Sequence, residues 1–183
     1  MVVETIEGKL IRLRTADDED AEFTLNARNI ESNTRYMPKV SVTLEQQHGW
    51  IRAQRDVKDS VFFVVERKNG ERIGTFSLYN ITKNKAESGR MIIRGNQIET
   101  VETILLFHDF AFFQENLPCV YSEIDENNKP AIGIARSVGA TNTGRADESN
   151  PDNHLVIYTL IKADYEKARG KLAAIVERFA SRQ

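Results

Sequence analysis

The period of the hydrophobic positions changes several times along the chain, and each change marks an element. Ile6, Gly8 and Leu10 alternate against Ile11 and Leu13 with charges between, so Ile6–Arg14 reads as one strand. Thr15-Ala-Asp-Asp18 follows as a helix-start signature, with Thr15 as cap and Asp18 three residues on. Asp17, Asp18, Glu19 and Asp20 then fall in a first turn, where the helix dipole favours negative charge. Four consecutive acids on a helix do not face one ion, so this cluster is a helix start and not a metal site. Glu31–Val42, with Asn33, Pro38 and Ser41, reads as a loop. Thr43-Leu-Glu-Gln46 is a second capping box, opening a helix to about Arg55 with Trp50 and Ile51 as its apolar contacts.

Ser60–Arg67 is a strand-length apolar run, Asn69-Gly70 a hairpin turn, and Arg72–Ile81 the return strand. Glu87–Arg94 adds a third, so three antiparallel strands are expected side by side. Ile98, Val101, Ile104, Leu105, His108, Ala111 and Phe112 then recur at helical spacing from Gln97, and Pro118 stops the helix. Val120–Asp125 is a buried strand. Pro130 sits where a first helical turn tolerates it, and Gly139 caps that helix after Val138. Thr141–Asn153 is polar and turn-rich, and His154–Ile161 is a strand. Tyr165, Ala168, Leu172, Ile175, Val176 and Phe179 make an amphipathic terminal helix. Antiparallel strands first and a strand–helix–strand crossover later define a mixed α/β (α+β) fold, a single domain over residues 1–183.

Composition narrows the function. The formal net charge of −2 gives no basic stripe for nucleic acid. No apolar run reaches the roughly 18–20 residues of a membrane span. Charge near the N-terminus interrupts what a signal peptide would need, so a cytoplasmic protein is expected. Cys119 is the only cysteine and excludes an internal disulfide. It opens an apolar strand, as an inert thiol does. His48, His108 and His154 stand far apart without ligand spacing, so no metal is expected, and His108 reads as a core-edge residue. Serine-hydrolase elbows, P-loops and dinucleotide turns are absent from the sequence. Nothing in it fixes an oligomeric state.

The informative stretch reads Arg72-Ile-Gly-Thr-Phe-Ser-Leu-Tyr-Asn-Ile, then Ala86-Glu-Ser-Gly-Arg-Met-Ile-Ile, then the long helix. It continues Val120-Tyr-Ser-Glu-Ile-Asp-Glu-Asn-Asn-Lys-Pro-Ala-Ile and ends Arg136-Ser-Val-Gly-Ala. In this order the segments resemble the GCN5-related N-acetyltransferase (GNAT) family. The opening Gly8-Lys-Leu-Ile-Arg-Leu-Arg and the Thr43 box before Trp50 resemble its branch of ribosomal-protein and amino-sugar acetyltransferases. The resemblance implies a mostly antiparallel sheet splayed in the middle, with helices on both faces.

It also implies the site. The strand holding Met91, Ile92 and Ile93 splays from Val120–Asp125, and the amide arm of acetyl-CoA, the cosubstrate, pairs with the freed backbone. The loop and helix start at Arg94, Gly95, Asn96, Gln97, Ile98, Glu99 and Thr100 receive the pyrophosphate. This loop departs from the family pattern: Gly95 is its only glycine, and Glu99 brings negative charge. Arg94 is expected to offset Glu99, with Asn96 and Thr100 donating hydrogen bonds. Asn128 matches the family asparagine that contacts the pantetheine arm and is also a good helix cap. The family tyrosine that protonates the thiolate falls at Ala135, which has no hydroxyl. A backbone N–H on the Met91–Ile93 strand would polarise the thioester carbonyl. Glu87 and Glu123 are the two candidates for the base. Arg35, Tyr36 and Tyr79 are the expected acceptor contacts.

The resemblance implies N-acetylation of a small-molecule primary amine, for example on a nucleotide-linked amino sugar, with no nucleic-acid or membrane partner. Two alternatives stay open: a protein N-terminal amine as acceptor, and a catalytically degenerate acyl-CoA-binding or interaction module.

Overall fold

The computed structural model describes residues 1–30, 35–37, 40–150 and 152–181. Eight strands form one sheet: β1 (Ile6–Glu7), β2 (Ile11–Thr15), β3 (Val61–Arg67), β4 (Arg72–Tyr79), β5 (Ala86–Ile93), β6 (Cys119–Asp125), β7 (Thr141–Arg145) and β8 (Leu155–Ile161). Their order is β1-β2-β3-β4-β5-β6-β8-β7, and β5–β6 is the parallel pair among antiparallel neighbours. The helices are α1 (Ala21–Asn29), α2 (Leu44–Asp56), α3 (Gln97–Asp109), α4 (Lys129–Ser137) and α5 (Lys162–Ala180). A turn of π-helix, Phe110–Gln114, prolongs α3 to the length expected from its stripe.

Strand alternation sorts the core into two layers. Val61, Phe63 and Val65 of β3 join the large cluster, with α3 and α5 behind the sheet. Phe62 and Val64, on the opposite face, join a smaller cluster with Ala16, Ala21 and Ile51 under α1 and α2. Helices therefore cover both faces of a mixed α/β fold.

Three expectations are corrected. Ile6–Arg14 is a tight hairpin and not one strand. Gly8 donates to the Ile11 carbonyl at 2.9 Å, and a Cβ on Gly8 would lie 2.7 Å from the Glu102 carboxylate. Glu102, 2% exposed on α3, accepts the backbone N–H groups of Lys9, Leu10 and Ile11 and so locks the turn. The acidic cap is Asp17 with Asp20, while Thr15 ends β2. Asp20 is buried because Arg14 and Arg72 both pair with it, at 2.6 and 2.8 Å. Thr141–Asn153 contains β7, an edge strand whose polar residues are exposed, which is why it lacks an apolar pattern. The loop over Glu31–Val42 lies partly outside the described residues, Asn33 and Pro38 among them; Arg35–Met37 form a turn.

Candidate active site

The way β5 lies against its neighbours creates the site. Glu87 faces Tyr79 and Gly89 faces Ser77 on β4, but further on Thr75 faces Ile92. One extra residue is thus accommodated on β5, a bulge at Arg90–Met91. Arg90 takes φ +54°, a left-handed conformation that costs a non-glycine residue about 1 kcal/mol. The Thr75 hydroxyl steadies the bulge by donating to the Arg90 carbonyl at 3.0 Å. Toward β6 the pairing covers only Ala86 beside Val120 and Glu87 beside Tyr121. A contact of 2.6 Å between the hydroxyls of Ser88 and Ser122 marks the apex, and beyond it the two strands part.

A cavity of about 160 Å³ lies in the gap. Ser88–Met91 line one wall and Ser122–Asp125 the other, and Asn128 before α4, Ala131 and Ala135 on it, His108 of α3, Tyr158 of β8 and the turn residues Tyr36 and Met37 also face it. Buried peptide groups need partners, so two unpaired strand edges facing one cleft favour a ligand with its own amides.

The expected coenzyme residues divide. Met91 lines the cleft, whereas Ile92 lines a second cavity on the α1/α2 face and Ile93 packs on the main core. Arg94 continues the β4 contact, its N–H donating to the Ile73 carbonyl at 2.7 Å. Gly95 is required by close approach: a Cβ there would stand 2.6 Å from the Glu99 carboxylate. The start of α3 is capped by its own side chains. Asn96 Oδ1 accepts from Ile98 and Glu99 at 2.8 and 3.0 Å, and Glu99 accepts the Asn96 N–H at 2.7 Å. Asn96 therefore accepts where donation was expected, and the Thr100 hydroxyl donates back to the Asn96 carbonyl. Glu99 is offset by Arg67, at 2.6 and 3.1 Å, and not by Arg94. That pair and the Asn96 N–H hold the Glu99 carboxyl below the usual range. Gln97 and Ile98 start the helix. Asn128 combines the expected placements, accepting from Ala131 N–H at 3.2 Å as cap of α4 while lining the cleft.

The two acids also separate. Glu87 sits where the strands part and accepts from the Tyr79 hydroxyl at 2.6 Å, the Asn80 amide at 2.9 Å and the Tyr121 hydroxyl at 3.1 Å. Burial, followed by this carboxylate, pushes the Tyr79 hydroxyl well above its ordinary value. Glu123 lines the cleft and accepts no hydrogen bond from a described side chain. Although it reaches solvent, its carboxyl is pushed above the usual range by desolvation first and by the Glu87 charge second. Arg35 lies over the Tyr36 ring at 5.5 Å.

Sequence reasoning missed Arg90, the Ser88–Ser122 contact and Tyr158. A glycine inside a strand signals a bulge or a close approach. Gly89 does mark the place, since a Cβ there would stand 2.7 Å from the Tyr79 hydroxyl.

The sheet is thus parted between a bulged strand and its parallel neighbour, with a helix start beyond the bulged strand. A family profile described as an acetyltransferase (GNAT) domain matches residues 11–141. The chain belongs to the GNAT family and is an acyltransferase. Its fold is similar to that of FdhC, a nucleotide-linked sugar GNAT in its apo form, with TM-score 0.78, 21% identity, and 96% and 98% of the two chains covered. It is similar to spermidine N-acetyltransferase from Vibrio cholerae in complex with CoA and spermine, with TM-score 0.75, 18% identity, and coverage of 87% and 99%. It also resembles ribosomal-protein-S5-alanine acetyltransferase from Vibrio fischeri, with TM-score 0.71, 20% identity, and coverage of 89% and 99%. No curated protein matches the chain. Among the described residues no helix is long and apolar enough to cross a membrane, and no group of three or more His, Cys, Asp or Glu could hold a metal ion.

Proposed function

We propose that the protein is an acetyl-CoA-dependent N-acetyltransferase acting on a primary amine of a small molecule, such as a nucleotide-linked amino sugar. The observation that carries this reading is the parting of β5 from β6 after only two matched pairs, Ala86 with Val120 and Glu87 with Tyr121, with a cavity behind the parting. The residues fit the coenzyme's amide arm: peptide edges at Met91 and along Ser122–Asp125 face the gap, and Asn128 stands at its end. When bound, acetyl-CoA supplies an acyl group activated toward attack by an amine.

The protein's own groups divide the proton work. Glu123 takes the proton from the incoming ammonium, because its carboxyl is raised toward neutrality and its oxygens are open. Glu87, whose oxygens are taken up by three donors, positions Tyr79 and Tyr121 at the apex. The Met91 region of β5 directs backbone N–H groups at developing negative charge. Ala135 offers no hydroxyl, and we assign proton return to Tyr158, which is 3% exposed, lines the cleft and donates to no described residue.

The capping box at Asn96 and Glu99 favours a second reading, a degenerate binding module, since it occupies N–H groups that a pyrophosphate would use. Calorimetry with acetyl-CoA, followed by thiol release over an amine panel, tests both. A ligand at about a hundredfold its Kd stabilises by about 2.7 kcal/mol. Binding with turnover supports the enzyme and overturns the module, whereas no binding, or binding without turnover on any amine, overturns the enzyme and supports the module.

A further inference from the structure

A second cavity, of about 220 Å³, opens on the α1/α2 face of the bulge. Arg90 lines both it and the cleft, so the two spaces meet at this one side chain. The Arg90 guanidinium is clamped between aromatic faces, 4.5 Å from the Tyr79 ring centre and 5.3 Å from that of Trp50. Its Nη1 is buried and meets no hydrogen-bond partner among the described residues. Other polar groups in the lining are engaged: Gln47 donates to the Thr24 hydroxyl at 2.9 Å, and Thr75 donates to the Arg90 carbonyl. Arg28 faces the same cavity, and no acidic side chain stands among its described lining residues. Burial first, and the Arg90 charge second, hold the Arg28 guanidinium below its ordinary range. A buried donor left unpaired, as Arg90 Nη1 is, is costly. A planar fork of this kind matches the paired oxygens of a phosphate or carboxylate.

We infer that this cavity is an oxyanion subsite, where Arg90 seats a phosphate or carboxylate carried by the amine acceptor while its amine reaches the cleft on the other side of Arg90. This deepens the acetyltransferase reading and, as an acceptor subsite, rests on it. The bulge explains why an arginine is here: the left-handed turn at Arg90 aims the side chain across the strand toward α2. The subsite selects acceptors by an anionic substituent remote from the reacting nitrogen and disfavours polycationic amines.

Trp50 is the only tryptophan of the chain, so its fluorescence reports on Arg90 directly. The protein is titrated with sodium phosphate, with sodium succinate, and with sodium chloride at matched ionic strength. A saturable change with phosphate or succinate and none with chloride is expected, and the stronger of the two names the source of the oxyanion. Arg90→Gln weakens it by about tenfold or more, and Arg90→Lys, which keeps the charge but not the fork, also weakens it. Flat titrations with both oxyanions, or an unchanged one in either folded variant, overturn the subsite. Alongside, glucosamine 6-phosphate is expected to exceed glucosamine in kcat/KM by about tenfold. Equal values, or a preference for spermidine, overturn the acceptor role. Calorimetry with acetyl-CoA separates the two readings: binding of acetyl-CoA with flat oxyanion titrations overturns the subsite alone. A saturable oxyanion signal without acetyl-CoA binding overturns the transferase reading alone.

Discussion

Replacing His108 by glutamine should remove most of the protein's sensitivity to mild acid. His108 is 6% exposed on α3, among the rings of Phe76, Phe107, Phe112 and Tyr165. Its Nδ1 lies 2.8 Å from the Ile104 carbonyl, which can only accept, so that nitrogen carries the proton of a neutral ring. Burial lowers its pKa from 6.5 to about 4, with the Ile104 carbonyl and the Asp109 charge opposing only part of the shift. Between those two values the unfolded chain binds a proton that the folded one excludes. Stability therefore rises with pH through this window and is lost as pH falls. Relative to neutral pH the loss is about 2 kcal/mol by about pH 5 and about 3 kcal/mol by about pH 4. The carboxylates of Asp20, Glu66 and Glu99 are held below their ordinary values of 3.8, 4.5 and 4.5, so their stabilisation disappears only at lower pH. Urea unfolding followed by circular dichroism at steps between about pH 7.5 and 4.5 reads the slope, whatever the variant's absolute stability. His108→Gln keeps a donor for Ile104 and should unfold at a nearly constant midpoint over this range. A variant slope as steep as that of the wild type would refute the argument.

Glu102→Ala should cost about 2–4 kcal/mol, because the Ile11 N–H is left buried and unpaired while water can reach those of Lys9 and Leu10; a midpoint within experimental error of the wild type would count against it. Glu123→Gln should lower kcat by about a hundredfold or more and abolish the acid limb of the pH–rate profile, whose inflection lies above the ordinary carboxylate value. A variant that keeps that limb would transfer the base role elsewhere. Gly89→Ala should push the Tyr79 hydroxyl off Glu87 and lower stability by about 1 kcal/mol, with a smaller loss in a Tyr79→Phe background. Equal losses in both backgrounds would show that the clash is absorbed elsewhere.

Much of the architecture is legible in the sequence because local chemistry and burial agree there. Thr43 and Gln46 form the box that their spacing predicts, Gly139 adopts φ +98° after α4, and the α3 stripe faces the core. The family's order of elements located the cleft correctly, since β5 and β6 part where the resemblance required. What stayed hidden depends on contacts between distant residues. Arg67, thirty-two positions from Glu99, is invisible as its partner in any local pattern. Gly8 reads as one strand position among several until Glu102, 93 residues from Lys9, is seen to fill the turn. β7 is a polar edge, so the alternation used to find strands does not mark it.

The extra residue in β5 has an evolutionary corollary. Counting by twos from Glu87 would send Met91 to the face of α1 and α2 and Ile92 to the rear; the bulge reverses that parity. Deleting one residue there would straighten the strand, close the gap toward β6 and exchange the walls of two chambers in a single event. Acceptor preference and coenzyme accommodation are thus yoked at Arg90–Met91. Descendants with new substrates are expected to change side chains at this spot while conserving its length, and to absorb insertions in the surrounding loops.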